Sequence, residues 1–155
     1  MPLAFSPLSE DILSSAPRRL RPRYAFVMRQ IGRPPEIGRR MAEIVGEVFA
    51  ARNVPRLDTN ASTGSKDFLD RILGMIRSTG FTVAIFSNKT RRTAVANITL
   101  ELGFAAMCDK PMVIVKSRLA KAPSDFARTD WIEYDENNEA DCRLKLHQAL
   151  MRQVS

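Results

Sequence analysis

The chain has 155 residues, 45% of them hydrophobic and 26% charged, which is the balance of one soluble globular domain and not of a disordered or membrane-spanning chain. Lys and Arg number 24 against 17 Asp and Glu, and the net charge of +7 favours anionic partners such as nucleotides. Two cysteines and a single histidine exclude a disulfide framework and a zinc-type ligand set, so neither a structural metal nor a cofactor is expected.

Residues 1–22 contain Pro2, Pro7, Pro17 and Pro22 and read as an N-terminal extension, in which Ser9 ahead of Glu10 and Asp11 suits the cap of one short helix. No basic-then-apolar leader and no apolar run of membrane-spanning length is present. A cytoplasmic location without membrane contact is the expectation. The basic runs PRRLRPR (17–23) and KTRR (89–92) are what a nucleic-acid binder would use. Solvated surface is the simpler reading, and nucleic acid is not an expected partner.

The domain proper, 23–155, opens with YAFVM (24–28), a short apolar strand, and the loop RQIGRPPEIG, whose Pro34 and Pro35 suit the first turn of a helix. That helix runs to about Arg52, with Ile37, Met41, Ile44, Val45, Val48 and Phe49 spaced as one buried face. A strand at VPRLD (54–58) follows, then the polar loop TNASTGS and a helix presenting Phe68, Leu69, Ile72, Leu73 and Ile76. FTVAIFS (81–87) reads as a central strand buried on both faces. After a helix around Glu101 come the strands PMVIV (111–115) and WIEY (131–134) and a closing helix over 140–153. Strands alternating with helices predict an α/β fold: a single doubly wound, mainly parallel five-stranded sheet in flavodoxin-like order. Ligands of such sheets sit beyond the carboxyl ends of the strands. The loops to inspect therefore hold Arg29 and Gln30, residues 58–65, residues 87–92 and residues 116–125.

One helix holds an anomaly. In TAVANITLELGFAAM (93–107) the only charge is Glu101. Asn97 and Glu101 stand at i and i+4 and share a stripe, fenced by Ile98 and Leu102 on one side and by Leu100 and Phe104 on the other. Ala96, Thr99, Gly103 and Ala106 form a small-residue face expected to approach the sheet. A carboxylate in such surroundings must be paired, protonated or open to a cleft. Two expectations follow: either Glu101 forms an ion pair with an arginine such as Arg29, or it faces a cleft and acts chemically. Placed near the start of its helix, its ionised form would be favoured by the helix dipole and opposed by the apolar surround. No G-x-G-x-x-G or G-x-x-x-x-G-K-[ST] loop occurs, STGSK (62–66) lacking the first glycine, and no G-x-S-x-G. Kinase, P-loop ATPase and serine hydrolase chemistry are not expected.

RSTGFTVAIFS, NITLELGFAAMCDKPMVIVKS and APSDFARTDWIEY, in that order, resemble the TIR-like nucleotide-binding domains and, more distantly, the nucleoside 2-deoxyribosyltransferases, over roughly residues 24–134. The resemblance implies that Glu101 is the catalytic carboxylate at an N-glycosidic bond, with NAD+ the expected substrate. It equally admits a nucleotide-sensing, self-assembling signalling module without turnover, or a deoxyribosyltransferase. Deoxyribosyltransferases usually carry an aspartate at the end of the third strand, where this chain has Ser87 and Asn88. Arg29, Gln30, Asp58, Ser87, Asn88 and Asn97 are the expected nucleotide contacts, and a homo-oligomer is implied. Asp125 and Phe126 match a later Asp-Phe element whose expected role is packing. His147, among Leu144, Leu146 and Leu150, is assigned none.

Overall fold

A computed structural model describes residues 21–58, 68–121 and 129–154. The short helix expected near Ser9, the STGSK loop, and Asp125 with Phe126 lie outside the described residues. Five strands, β1 (Arg21–Met28), β2 (Arg56–Asp58), β3 (Thr79–Phe86), β4 (Met112–Ser117) and β5 (Thr129–Tyr134), form one sheet in the order β2-β1-β3-β4-β5. Every neighbouring pair is parallel, which is the expected doubly wound order. Four helices are described: α1 (Glu36–Ala51), α2 (Phe68–Ser78), α3 (Arg92–Met107) and α4 (Glu139–Val154).

Alternating strand residues divide between two cores. Ala25, Val27, Val83 and Ile85 face α1 and α4, where they meet Ile44, Val48, Leu146 and Leu150. Phe26, Met28, Ala84 and Phe86 face α2 and α3, where they meet Ile72, Ile76, Ile98 and Leu102. Parallel strands buried on both faces need continuous apolar runs, and the sequence supplies them. Both α1 and α3 end in the same way. Asn53 (φ 53°) and Asp109 (φ 55°) take the left-handed conformation, while the next amides, Val54 and Lys110, bond back to Phe49 O (3.0 Å) and Ala105 O (2.9 Å).

Among the differences from the sequence reading, two concern strand starts and one a helix face. β1 starts at Arg21, because Arg21 already pairs with Thr79 before a register shift ahead of Ala25. β3 starts at Thr79, a buried residue whose Oγ1 donates to Ile76 O (3.1 Å) and so joins the end of α2 to the strand. In α3 the small-residue face is not the packed one. Ala96 and Ala106 are exposed, nothing stands within 4 Å of where a Gly103 Cβ would be, and Ile98, Leu102 and Ala105 are buried instead. Burying the larger side chains removes more apolar area from water, and a helix apolar on most sides offers that choice. Cys108 and Cys142 are free thiols. Among the described residues no helix is long and apolar enough to cross a membrane.

Candidate active site

In a 2-1-3-4-5 sheet the strand order reverses between β1 and β3, and the loops leaving those strands part to leave a crevice. Here two side chains tie the loops together. Gln30, buried at the end of β1, donates from Nε2 to Gly32 O and Arg33 O, both at 2.9 Å, and accepts from Arg91 N at 3.0 Å. Arg91 returns the contact by donating from Nη2 to Gly32 O at 2.9 Å. The first two bonds hold Arg33 in a left-handed conformation (φ 47°) that a non-glycine residue adopts at a cost.

Beneath this clasp lies a cleft of about 260 Å³, lined by Arg29, Gln30, Ile31 and Gly32 after β1, by Ile72 of α2, and by Arg91, Asn97, Leu100, Glu101 and Phe104 among others of α3 and its approach. Glu101 Oε2 is sealed from solvent and has no hydrogen-bond partner, although the residue itself is half-buried and borders the cleft. Burial pushes its carboxyl up from the ordinary 4.5 to about 7. The opposing pull expected from the helix dipole is missing, because α3 begins at Arg92 and Glu101 stands in its middle, beyond the first turn where the dipole acts.

The expected ion pair between Glu101 and Arg29 does not form. Arg29 Nε lies 3.5 Å from Asp58 Oδ1 instead, an ion pair without hydrogen-bond geometry, since Asp58 Oδ1 is itself unsatisfied. Asp58 ends β2, the strand beside β1, and so stands next to Arg29, which follows the end of β1 and borders the α1-side cleft as well as that of Glu101.

The residues expected to bind nucleotide are therefore divided. Arg29, Gln30, Asn97 and Glu101 line one cleft. Asp58 lines a second, of about 300 Å³, on the α1 side, where Arg29 also appears. Asn88 lines a third, of about 290 Å³, with Lys89, Ser117 and Tyr134 beyond the ends of β3, β4 and β5. Ser87 is buried and shapes the turn after β3: its amide donates to Thr90 Oγ1 (2.8 Å) and its Oγ accepts from Lys89 N (3.1 Å). Asn88 is held by Ser117, whose Oγ accepts from Asn88 N at 3.1 Å. His147 accepts from Arg52 Nε at 3.0 Å and lines none of the three clefts. Among the described residues no group of three or more His, Cys, Asp or Glu is placed to hold a metal ion. Sequence reading passed over Arg91 and Phe104 as site residues. The signal for Arg91 was its place in KTRR, directly after the third strand.

No protein-family model matches the sequence, and no curated protein sequence matches it. Among solved structures the chain is similar to the CMP N-glycosidase BcmB of Clostridium botulinum, with a TM-score of 0.52 and 11% identity over 79% of this chain and 98% of that one. At that identity the likeness shows the fold alone, an α/β arrangement consistent with the parallel five-stranded sheet described above.

Proposed function

We propose that this chain cleaves the N-glycosidic bond of a nucleotide, with Glu101 as the carboxylate that meets the sugar. The observation that carries the reading is a carboxylate residue that lines a cleft at the point where strand order reverses and has one buried oxygen without a hydrogen-bond partner. Breaking the C1′–N bond sends its electron pair to the base and leaves oxocarbenium character on the ribose. A carboxylate poised there traps or stabilises that cation, and water supplies hydroxyl to C1′ and a proton to the departing base. Free base and a phosphorylated sugar are the products.

A CMP-like nucleoside monophosphate is the preferred substrate. The solved neighbour is a CMP N-glycosidase, and a cleft of about 260 Å³ suits a nucleoside better than a whole dinucleotide. Arg91 and Arg29, which line its edge, supply guanidinium groups for the 5′-phosphate in this reading, and Asn97, one turn before Glu101, the contact to a ribose hydroxyl. NAD+, the substrate expected from the sequence, stands as the second reading because Arg29 borders clefts on both sides of the sheet, giving a two-part ligand room. Leu100 and Met107, exposed on α3, offer a second copy of the chain an apolar contact beside the cleft.

Incubation of the purified protein at two concentrations with CMP, with NAD+, and with a deoxynucleoside plus free base separates the possibilities by chromatography. Cytosine or nicotinamide release that Glu101→Gln abolishes supports hydrolysis, base exchange moves the chain to the transferases, and nucleotide binding without turnover marks a sensor.

A further inference from the structure

The cleft on the α1 side of the sheet edge takes no part in bond breaking at Glu101. Its floor is apolar, from β1, β3 and α1, and its rim carries Arg29, Arg39, Arg56, Glu43 and Asp58. Those charges do not cancel. Asp58 Oδ1 faces Arg29 Nε at 3.5 Å, and Glu43 Oε2 is held by Arg40 Nη1 at 3.1 Å, so each carboxylate already has its own arginine. Arg39 and Arg56 are left without a carboxylate partner among the described residues, two positive charges facing one concavity.

Arg56 is also seated. Its guanidinium lies over Gly46 of α1, where a Cβ would come within 2.8 Å of Nη1 and 3.3 Å of Nη2. Glycine is unfavourable inside a helix relative to alanine. Here its missing Cβ makes the space that the guanidinium fills, directly beneath the rim of the cleft.

We propose that this cleft is a second binding site, for a phosphoryl group held by Arg39 and Arg56, separate from the cleft of Glu101. Guanidinium forks match phosphate oxygens two at a time, and two uncompensated arginines match the nearly double negative charge of a phosphate monoester. The cleft reaches the ends of β1 and β2, where Arg29 and Asp58 stand on its rim, and parallel sheets meet their ligands on that side. Two sources share this chemistry: free phosphate or a simple monoester, and the diphosphate of a dinucleotide reaching past Arg29. The inference does not depend on turnover at Glu101.

The test is calorimetric titration with inorganic phosphate, at ionic strength held constant with chloride, of the wild-type chain and of Glu101→Gln. Saturable binding of equal strength in both is expected. Arg39→Ala combined with Arg56→Ala should weaken it at least tenfold. Both side chains are exposed and unpartnered among the described residues, so the fold should survive. Gly46→Ala keeps every charge and displaces the Arg56 guanidinium, and it should weaken phosphate severalfold, which general charge screening would not produce. Displacement of phosphate by NAD+ in Glu101→Gln identifies the dinucleotide as the source, and its failure identifies the free anion. A phosphate response that survives the double substitution, that vanishes in Arg91→Ala instead, or that chloride reproduces would overturn the site.

Discussion

Glu101 was legible in the sequence because one charge among fourteen apolar, small or uncharged neighbours calls for a partner or a cleft, and Arg29 was the partner it had available. Two properties were not legible. The start of α3 at Arg92 removes the helix dipole from consideration, and the pairing of Arg29 with Asp58 depends on β1 and β2 lying side by side, which no local spacing shows. With burial alone acting, the carboxyl stands at about 7, so near neutral pH about half the empty sites are ionised. If the ionised form receives the oxocarbenium, kcat/KM should rise about tenfold per pH unit below 7 and level off above it. A profile that falls above pH 7 would assign Glu101 the role of acid. Glu101→Gln should lower the rate by roughly 10²-fold or more, the loss typical of removing a stabilising group from a developing charge.

At the scale of elements, the cleft depends on how two loops are held. Gln30 is a positioning residue: its amide satisfies two carbonyls of the β1 loop and the Arg91 amide. Gln30→Ala should cost about 1–3 kcal/mol in chemical denaturation, the penalty for buried backbone groups left unpaired, and should raise KM more than it lowers kcat. An unchanged KM would show that the clasp does not shape the cleft. β3 has its own constraint at Gly80, where a Cβ would fall 1.9 Å from Pro22 O, a backbone atom of the adjacent strand that no rotamer change can move. Gly80→Ala should therefore destabilise by about 3 kcal/mol, at the upper end of ordinary overpacking, and a melting temperature within a degree or two of wild type would refute that close approach. The apolar faces of α1 were readable from spacing because its polar face is distinct. α3, apolar on most sides, gives no such contrast, so spacing alone does not tell which face it buries.

For the whole molecule, the order of the sheet was legible because buried parallel strands write continuous apolar runs and right-handed crossovers leave few topologies. Long-range polar contacts write no such pattern. α1 and α4 are joined by Arg40, whose Nη2 and Nε donate to Glu139 at 2.8 and 2.9 Å, and Tyr134 donates to the same carboxylate at 2.6 Å. Arg40 first, then Tyr134, lowers the Glu139 carboxyl from 4.5 to about 2. Two carboxylates thus set opposite pH limits. Stability from Glu139 is present above about 4.5 and lost as pH falls towards 2, whereas Glu101, raised by burial, costs stability as pH rises from about 4.5 through 7. The Glu101 part amounts to about 2–3 kcal/mol between pH 5 and 8 by the usual conversion of 1.36 kcal/mol per unit. The melting temperature should peak near pH 5, with Arg40→Ala removing part of the acid limb and Glu101→Gln flattening the alkaline one. A wild-type melting temperature constant from pH 5 to 8 would show that Glu101 is solvated.

The measurement that bears most directly on the account is cytosine release from CMP, followed by chromatography at pH 8 for the wild-type chain and for Glu101→Gln, with folding of both verified by thermal melting. Release by the wild-type chain, lost in a variant at least as stable, is the expected result. Equal release by the two proteins, or stoichiometric CMP binding with no cytosine from either, would contradict the assignment of Glu101 as the carboxylate that breaks the bond.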